Sequence, residues 1–339
     1  MRKWGIALLV LLLSLSLVLA GCGGSKPAPE AKKPEAPKTI KIVAAHVTPK
    51  DGVYQKGMEK FKEIVEKESN GTMTVEIHPN GELGGNEDQL VQKMQTGTVD
   101  LIVASPGFMA QTVKEIDLFS LLYLFKGWDH WAKVMDGEVG QKMTKIVEDK
   151  TDFKVLGYWT CGVREYFGSK PVTKPEDLKN MKIRVQNSPA IKDTWVAFGA
   201  QPASVAFNEL YQALQNKVVD AAENDPVNIF QMKFHEVSPY ISLTNHDVAT
   251  RLFLMSDKKF QSLSDEQKKI IEKAAVEATK EERKVDRQFF DDYLAKLKAA
   301  GAKVNEVDTA PFIKATEPIR AKYAKDLGLE DFLKKISEQ

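Results

Sequence analysis

The sequence predicts an α/β protein of two domains, and three observations carry that expectation. The chain has 339 residues with 43% hydrophobic content, which is enough for two globular cores. Period-two and period-3.6 apolar patterns take turns along it, as in a strand over residues 39–46, a helix over 54–69 and a strand over 73–78. Near the end, no Gly or Pro interrupts residues 265–300. At 1.5 Å per residue, one helix over that stretch spans roughly 54 Å, more than one small domain needs.

The chain begins with Met1-Arg2-Lys3 and an apolar run over residues 4–20, the pattern of a secretory leader. Leu19-Ala20-Gly21-Cys22 matches the cleavage box of bacterial lipoproteins. Residues 1–21 are therefore expected to be a lipoprotein signal peptide and Cys22 the lipidated first residue, with an uncleaved anchor as the alternative. Either way the bulk is expected outside the cytoplasm, lipid-anchored at the membrane. Residues 22–38 are rich in Pro, Ala and Lys and read as a flexible tether. Removing Arg2 and Lys3 leaves 46 basic residues against 47 acidic ones, so nothing in the charge balance argues for nucleic acid. With Cys22 lipidated, Cys161 stands alone, so no disulfide framework is expected, and the thiol reads as a small buried residue.

In the folded part, Met58, Phe61, Ile64 and Val65 share a face of the first helix, and Asn70-Gly71 stops it. The strand–helix–strand unit implies a parallel pair. A turn at Gly81–Gly85 lacks the spacing of a dinucleotide fingerprint and is followed by a helix over 86–95 and a strand over 100–104. In open α/β sheets ligands sit at the carboxyl ends of strands, which points to His46, Val47 and Thr48, and to Ala104 and Ser105. His46 also fits an ordinary loop-edge histidine. Residues 111–150, with Phe119, Trp128 and Trp131, read as core packing, and 152–159 as a strand.

Residues 162–226, with two arginines, several amides and an aromatic helix, read as a binding site. Lys174-Pro175-Glu176-Asp177 opens a short helical turn, with Pro at its first position and acids at the positive end of the dipole. Met181, Ile183 and Val185 then alternate with Lys182, Arg184 and Gln186, a strand with one apolar face. Taken alone, Arg184 fits the solvent face of that strand. A helix runs on to a stop at Gly199, Phe207, Tyr211 and Leu214 form a stripe on a helix over 207–215, and 218–220 reads as a strand ending in Ala221-Ala222-Glu223-Asn224. Strands over 240–244 and 250–255 are joined through Asn245 and His246; Ser264 with Gln267 forms a capping box for the long helix; a strand over 303–307 and helices over 311–326 and 331–336 close the chain.

The ordered segments GVR, KPVTKPEDLKNMKIRV, FGAQP, FNELYQALQNKVVDAAEN and KFHEVSPYISLTNH resemble the signature run of the solute receptors of tripartite ATP-independent periplasmic (TRAP) transporters, of the C4-dicarboxylate-receptor type. The resemblance implies a two-domain periplasmic-binding-protein-like fold with a hinge and a long domain-spanning helix. It implies that Arg184 forms a two-pronged salt bridge with a ligand carboxylate, and that Arg164 of the G-x-R element is a second cationic contact. Asn187 and Asn224 would reach the ligand from strand ends, and Phe207 would line the pocket. Where the family has Asp-Gly this chain has Asp220-Ala221, which puts the local turn in question. Domain I is expected over 39–161 plus 250–285 and domain II over 162–249 plus 286–339.

Other chemistry finds no footing. The five histidines show no metal-ligand spacing, and Walker A and G-x-S-x-G motifs are missing, so neither a metal nor another cofactor, nor an enzyme, is expected. The expected partners are a small organic anion and the small and large TRAP membrane subunits. Asn187, Asn224 and His246 as hydroxyl readers lean the expectation toward a sugar acid or hydroxy acid over a bare C4-dicarboxylate. A receptor feeding a sensor kinase and an exported carbohydrate-acid hydrolase or lyase are the alternatives.

Overall fold

The computed structural model describes residues 39–339. The readings of the leader, of Cys22 and of the tether fall outside these residues. Among the described residues nine strands form one sheet: β1 (Ile40–Ala45), β2 (Met73–His78), β3 (Leu101–Ala104), β4 (Phe153–Gly168), β5 (Lys182–Val185), β6 (Gln201–Ser204), β7 (Ala221–Asn224), β8 (Tyr240–Ser256) and β9 (Lys303–Glu306). Their order is β2-β1-β3-β8-β4-β7-β5-β6, with β9 also on β8.

The sheet has two parallel wings. β1 pairs in parallel with β2 and β3, and β5 in parallel with β6 and β7. Between them lies an antiparallel ribbon of β4 and β8, 16 and 17 residues long, where a typical strand has about 5–6. The ribbon is this long because it serves both wings. Residues 153–160 of β4 pair with 250–256 of β8 beside β3, and 163–168 pair with 240–248 beside β7. The register slips between Thr160 and Val163, where Gly162 turns left-handed at φ +70°.

The long helix, Asp265–Ala299, starts at the capping box of Ser264 and Gln267. Its first half buries Ile271, Ala274, Ala275 and Ala278 against Met58 and Phe61 of the helix Val53–Glu68; its last turns bury Leu297 in the core of Phe167, Phe207 and Phe234. One continuous helix thus packs on both wings, and the two-domain α/β fold stands. Tyr323, Ala324, Leu329, Phe332 and Ile336 pack with Trp131, Val139 and Met143, in a core built mainly by the first wing.

Three element readings are corrected. The strands expected over 240–244 and 250–255 are one strand, because Asn245 absorbs the irregularity as a single left-handed residue at φ +44° while its N–H donates to Glu165 Oε2 at 2.8 Å. Residues 218–220 precede β7 rather than forming it. Lys217 takes the left-handed position there, at φ +57°, so Ala221 needs no glycine and the question raised by Asp220-Ala221 falls away. Residues 207–215 divide into a 3-10 turn, Phe207–Glu209, and a helix, Leu210–Gln215.

Candidate functional site

Where the ribbon passes between the wings, three arginines converge. Gly162 is what aims β4 there. Its N–H donates to Asp286 Oδ2 of the long helix at 2.8 Å, and a Cβ at this position would lie 2.7 Å from Asp225 Cβ. Two residues on, Arg164 is 3% exposed and paired with Glu223 on β7, while its Nη1 donates to Asn224 Oδ1 at 3.0 Å. Burial would raise the Glu223 carboxyl, but Arg164 and His246 outweigh it and hold the group down at about 2. The charge of Arg164 is therefore balanced inside the protein, and its fork fixes the side chain of Asn224 in place.

Arg184 differs. It is 2% exposed on β5, where period-two alternation turns Arg184 and Gln186 to the cavity. Its Nε donates to the Val205 carbonyl at 2.9 Å. Among the described residues its two Nη groups have no acceptor and it has no ion pair. Burial pulls its pKa down to about 10, which still leaves it cationic at neutral pH. Arg251 of β8, 3% exposed, donates to Tyr54 Oη at 2.6 Å and to the Thr250 carbonyl at 2.7 Å, and it too lacks an ion pair among the described residues.

These arginines line a cavity with an empty volume of about 390 Å³. Thr48, Tyr54, Asn86, Glu87, Gln186, Asn224 and Asn228 supply the rest of its polar wall, and Val47, Phe108, Cys161 and Phe207 its apolar part. Glu87 is held by the Ser105 N–H, which donates to its Oε2 at 2.6 Å. Burying a guanidinium without a counter-charge costs several kcal/mol, by order of magnitude, and the fork geometry suits a carboxylate. The arrangement suits an anion and offers it hydrogen-bonding walls.

Of the sequence-predicted residues, Arg184, Arg164, Asn224 and Phe207 meet on this cavity. Four others lie behind its wall. His46 is fully buried, bonded to Gln55 Oε1 at 2.9 Å and Thr48 Oγ1 at 3.0 Å, and burial pulls it down to about 4. Ala104 is packed in the first-wing core. Asn187 lies in the bend after β5, half-buried, accepting from Lys192 Nζ at 2.8 Å. His246 is 1% exposed and bonded to Thr244 and Glu223, so it supports the Arg164 pair from outside the cavity. Arg251, Gln186, Glu87 and Asn228 were missed. Arg251 had a signal, a lone cation entering the apolar run Leu252–Met255, and Gln186 had another in its two-residue offset from Arg184.

Fold and cavity together define a class: a two-winged α/β protein of the binding-protein type, with an arginine-lined cavity where two long paired strands pass between the wings. The sequence matches the family described as bacterial extracellular solute-binding protein, family 7, over residues 44–326, and the chain belongs to that family. It is 30% identical to the C4-dicarboxylate-binding periplasmic protein DctP of Rhodobacter capsulatus, over 88% of this chain and 90% of the relative. Its fold superposes with TM-score 0.84 on a TRAP periplasmic solute-binding protein from Sulfitobacter sp. NAS-14.1 with bound β-D-galacturonate, at 30% identity over 88% of this chain and 100% of that one. With one from Sulfurospirillum deleyianum bound to succinate the TM-score is 0.83, at 32% identity over 88% and 98%. The proteins it resembles are thus receptors of TRAP transporters. Among the described residues no helix is long and apolar enough to cross a membrane.

Proposed function

We propose that this protein is the extracytoplasmic receptor of a TRAP transporter for a hydroxylated monocarboxylate, a sugar acid or hydroxy acid. It binds and releases its solute unchanged and hands it to the membrane subunits. The observation that carries this is the buried Arg184, whose two Nη groups have no acceptor among the described residues, facing a wall of amides, hydroxyls and one carboxyl. Arg184 takes the solute carboxylate in a bidentate pair. Glu87 accepts from solute hydroxyls and disfavours a second carboxylate, while Asn224, fixed by Arg164, and Gln186 read further hydroxyls. Calorimetry with D-glucuronate, D-galactonate and succinate tests this, with one of the sugar acids expected to bind tightest. Tighter binding of succinate overturns the preference, and any change in the recovered solute by mass spectrometry overturns the non-enzymatic reading.

The proposed lobes are residues 39–161 with 250–285 and residues 162–249 with 286–322, with 323–339 assigned to the first lobe on its packing. Support for a hinge comes from the register slip at Gly162 and from the helix that reaches both cores. Closure over the solute is the signal the membrane subunits read. Cys22 carries the lipid anchor, as Leu19-Ala20-Gly21-Cys22 supports; Cys22→Ser abolishes labelled fatty-acid incorporation, and labelling of that variant overturns the anchor.

A further inference from the structure

Neighbouring residues of a strand point to opposite faces, so Arg164 faces the solute cavity while Val163 faces the other side of the ribbon. There, with its strand partner Val248, it floors a second and larger concavity, with an empty volume of about 1300 Å³. Its walls are mostly apolar: Phe125 and Trp128, Phe290 of the long helix, and Ile313 of the helix Ala310–Leu327. Among the described residues no Asp or Glu lines it, whereas Arg320 and Lys126 do. Lys126 donates to the Ser337 carbonyl at 3.0 Å. Arg320 is half-buried and uses only Nη1, toward the Leu122 carbonyl and Thr316 Oγ1. Among the described residues it has no ion pair, and its Nε and Nη2 have no acceptor. Burial lowers its pKa, against Glu317 on the same helix. Backbone strain gathers at the rim as well: Tyr123, a bulky residue in the left-handed region at φ +56°, is held by its N–H to the His246 carbonyl at 2.7 Å and its Oη to the Thr244 carbonyl at 2.9 Å.

A large apolar bowl with an uncommitted guanidinium and no acid fits one chemistry, an apolar chain ending in an anion. We infer that the back of the ribbon is a second binding site, for a single-chain amphiphilic anion such as a medium-chain carboxylate, with its chain against Phe125, Trp128 and Phe290 and its headgroup on Arg320. The site shares no lining residue with the solute cavity and does not rest on the solute reading.

Decanoate titrated into the purified protein, followed by calorimetry and by the fluorescence of Trp128, tests this. Saturable one-to-one binding is expected, weakened about tenfold or more, or about 1.4 kcal/mol, by Arg320→Met. Ile313→Glu, a change at a partly exposed helix position, is expected to weaken it similarly and guards against a folding defect in the first variant. Decylamine should not compete, and Arg184→Ala should bind decanoate as the parent does while losing sugar-acid binding. Absence of saturable binding, equal binding by both back-face variants, equal affinity for decylamine, or binding only to anionic phospholipid vesicles would each overturn the site. Loss of sugar-acid binding in the parent leaves it standing, because the decanoate arm reads it independently.

Discussion

The cavity wall and the buried face of the long helix meet at β4 near Gly162, yet they hold opposite deficits of charge. On the cavity side, Arg184 and Arg251 are buried without an ion pair among the described residues. On the helix side, Glu282 and Asp286 are fully buried, accepting from the Thr160 N–H at 3.3 Å and the Gly162 N–H at 2.8 Å, with no basic partner among the described residues. The same burial resolves differently because the groups differ in how far they can titrate. Burial, then mutual repulsion with Asp286, drives the Glu282 carboxyl well up; burial, then Asp225, lifts Asp286 to about 8. At neutral pH these acids escape their deficit by taking up protons. A guanidinium has no such exit, so Arg184 and Arg251 stay charged, offset only at a distance by Glu87, with Glu223 and Asp247, and open to an anion from outside. On the proposed reading one cluster is a solute site, and the other is a pair of protonated acids beside the register slip at Gly162.

The most severe way to break this contrast is to make a third unpaired arginine. Glu223→Ala strips Arg164 of its counter-ion in a site 3% exposed, and removing one partner of a buried pair costs about 3–5 kcal/mol. Urea denaturation should show a loss of that size; a loss below about 1 kcal/mol would mean that Arg164 is balanced by something else. Next is Arg184→Lys, which keeps the charge and removes the fork. Sugar-acid affinity should fall about 100-fold, or about 2.7 kcal/mol, with stability nearly unchanged. Calorimetry placing this variant within about threefold of the parent removes the bidentate role.

The pair of protonated acids makes a prediction about pH. An unfolded Asp titrates near 3.9, whereas Asp286 in the fold sits at about 8. The native state therefore holds the proton over that window and the unfolded state does not. The stability it contributes is complete below about pH 4 and is lost as pH rises toward 8. Between pH 6 and 8 the parent should lose about 2 kcal/mol on this account, within the ceiling of about 1.4 kcal/mol per pH unit for one proton. Asp286→Asn, neutral throughout, should flatten the profile and be the more stable protein at pH 8. Equal slopes for the two proteins would place the titration on another group.

How much of this could be read in advance follows from what makes each feature local. β2 falls where expected, because its pattern and its turns lie within a few residues. The long helix was legible from its capping box and the lack of Gly and Pro. The single strand β8 was not, because only the hydrogen bond of Asn245 to Glu165, 80 residues away in sequence, tells a bulge from a loop. At the site, Arg184 and Asn224 were found by motif. His246 and Asn187 carry motif positions too, but whether a polar residue faces a cavity or props one up depends on contacts such as His246 with Glu223 and Asn187 with Lys192. The acid cluster was invisible for the same reason. Glu282 and Asp286 are four apart among many helix carboxylates, and nothing nearby marks them as the buried ones.

Gly162 lies between the two regions and gives the smallest but sharpest test. Its left-handed backbone lets one peptide do two things: the N–H reaches down to Asp286, and the chain beyond turns Arg164 toward the cavity. Alanine there faces a left-handed penalty of about 1–2 kcal/mol. Its Cβ, 2.7 Å from Asp225 Cβ, also displaces Asp225. That residue caps the helix Pro226–Gln231 and accepts from Asn228 Nδ2 at 2.5 Å and Cys161 Sγ at 3.3 Å, and both of these partners line the cavity. Asp225 is also the second cause of the raised Asp286 carboxyl. Gly162→Ala should therefore move two readouts at once, lowering solute affinity by about three- to tenfold and reducing the pH slope of stability, where Arg184→Lys moves only the first and Asp286→Asn chiefly the second. If the alanine variant changes affinity and leaves the slope intact, the two clusters are energetically separate despite sharing one turn of chain. If it changes both, Asp225 contributes to each cluster, and a solute affinity in the parent that changes between pH 6 and 8 is the further measure of whether they act on each other.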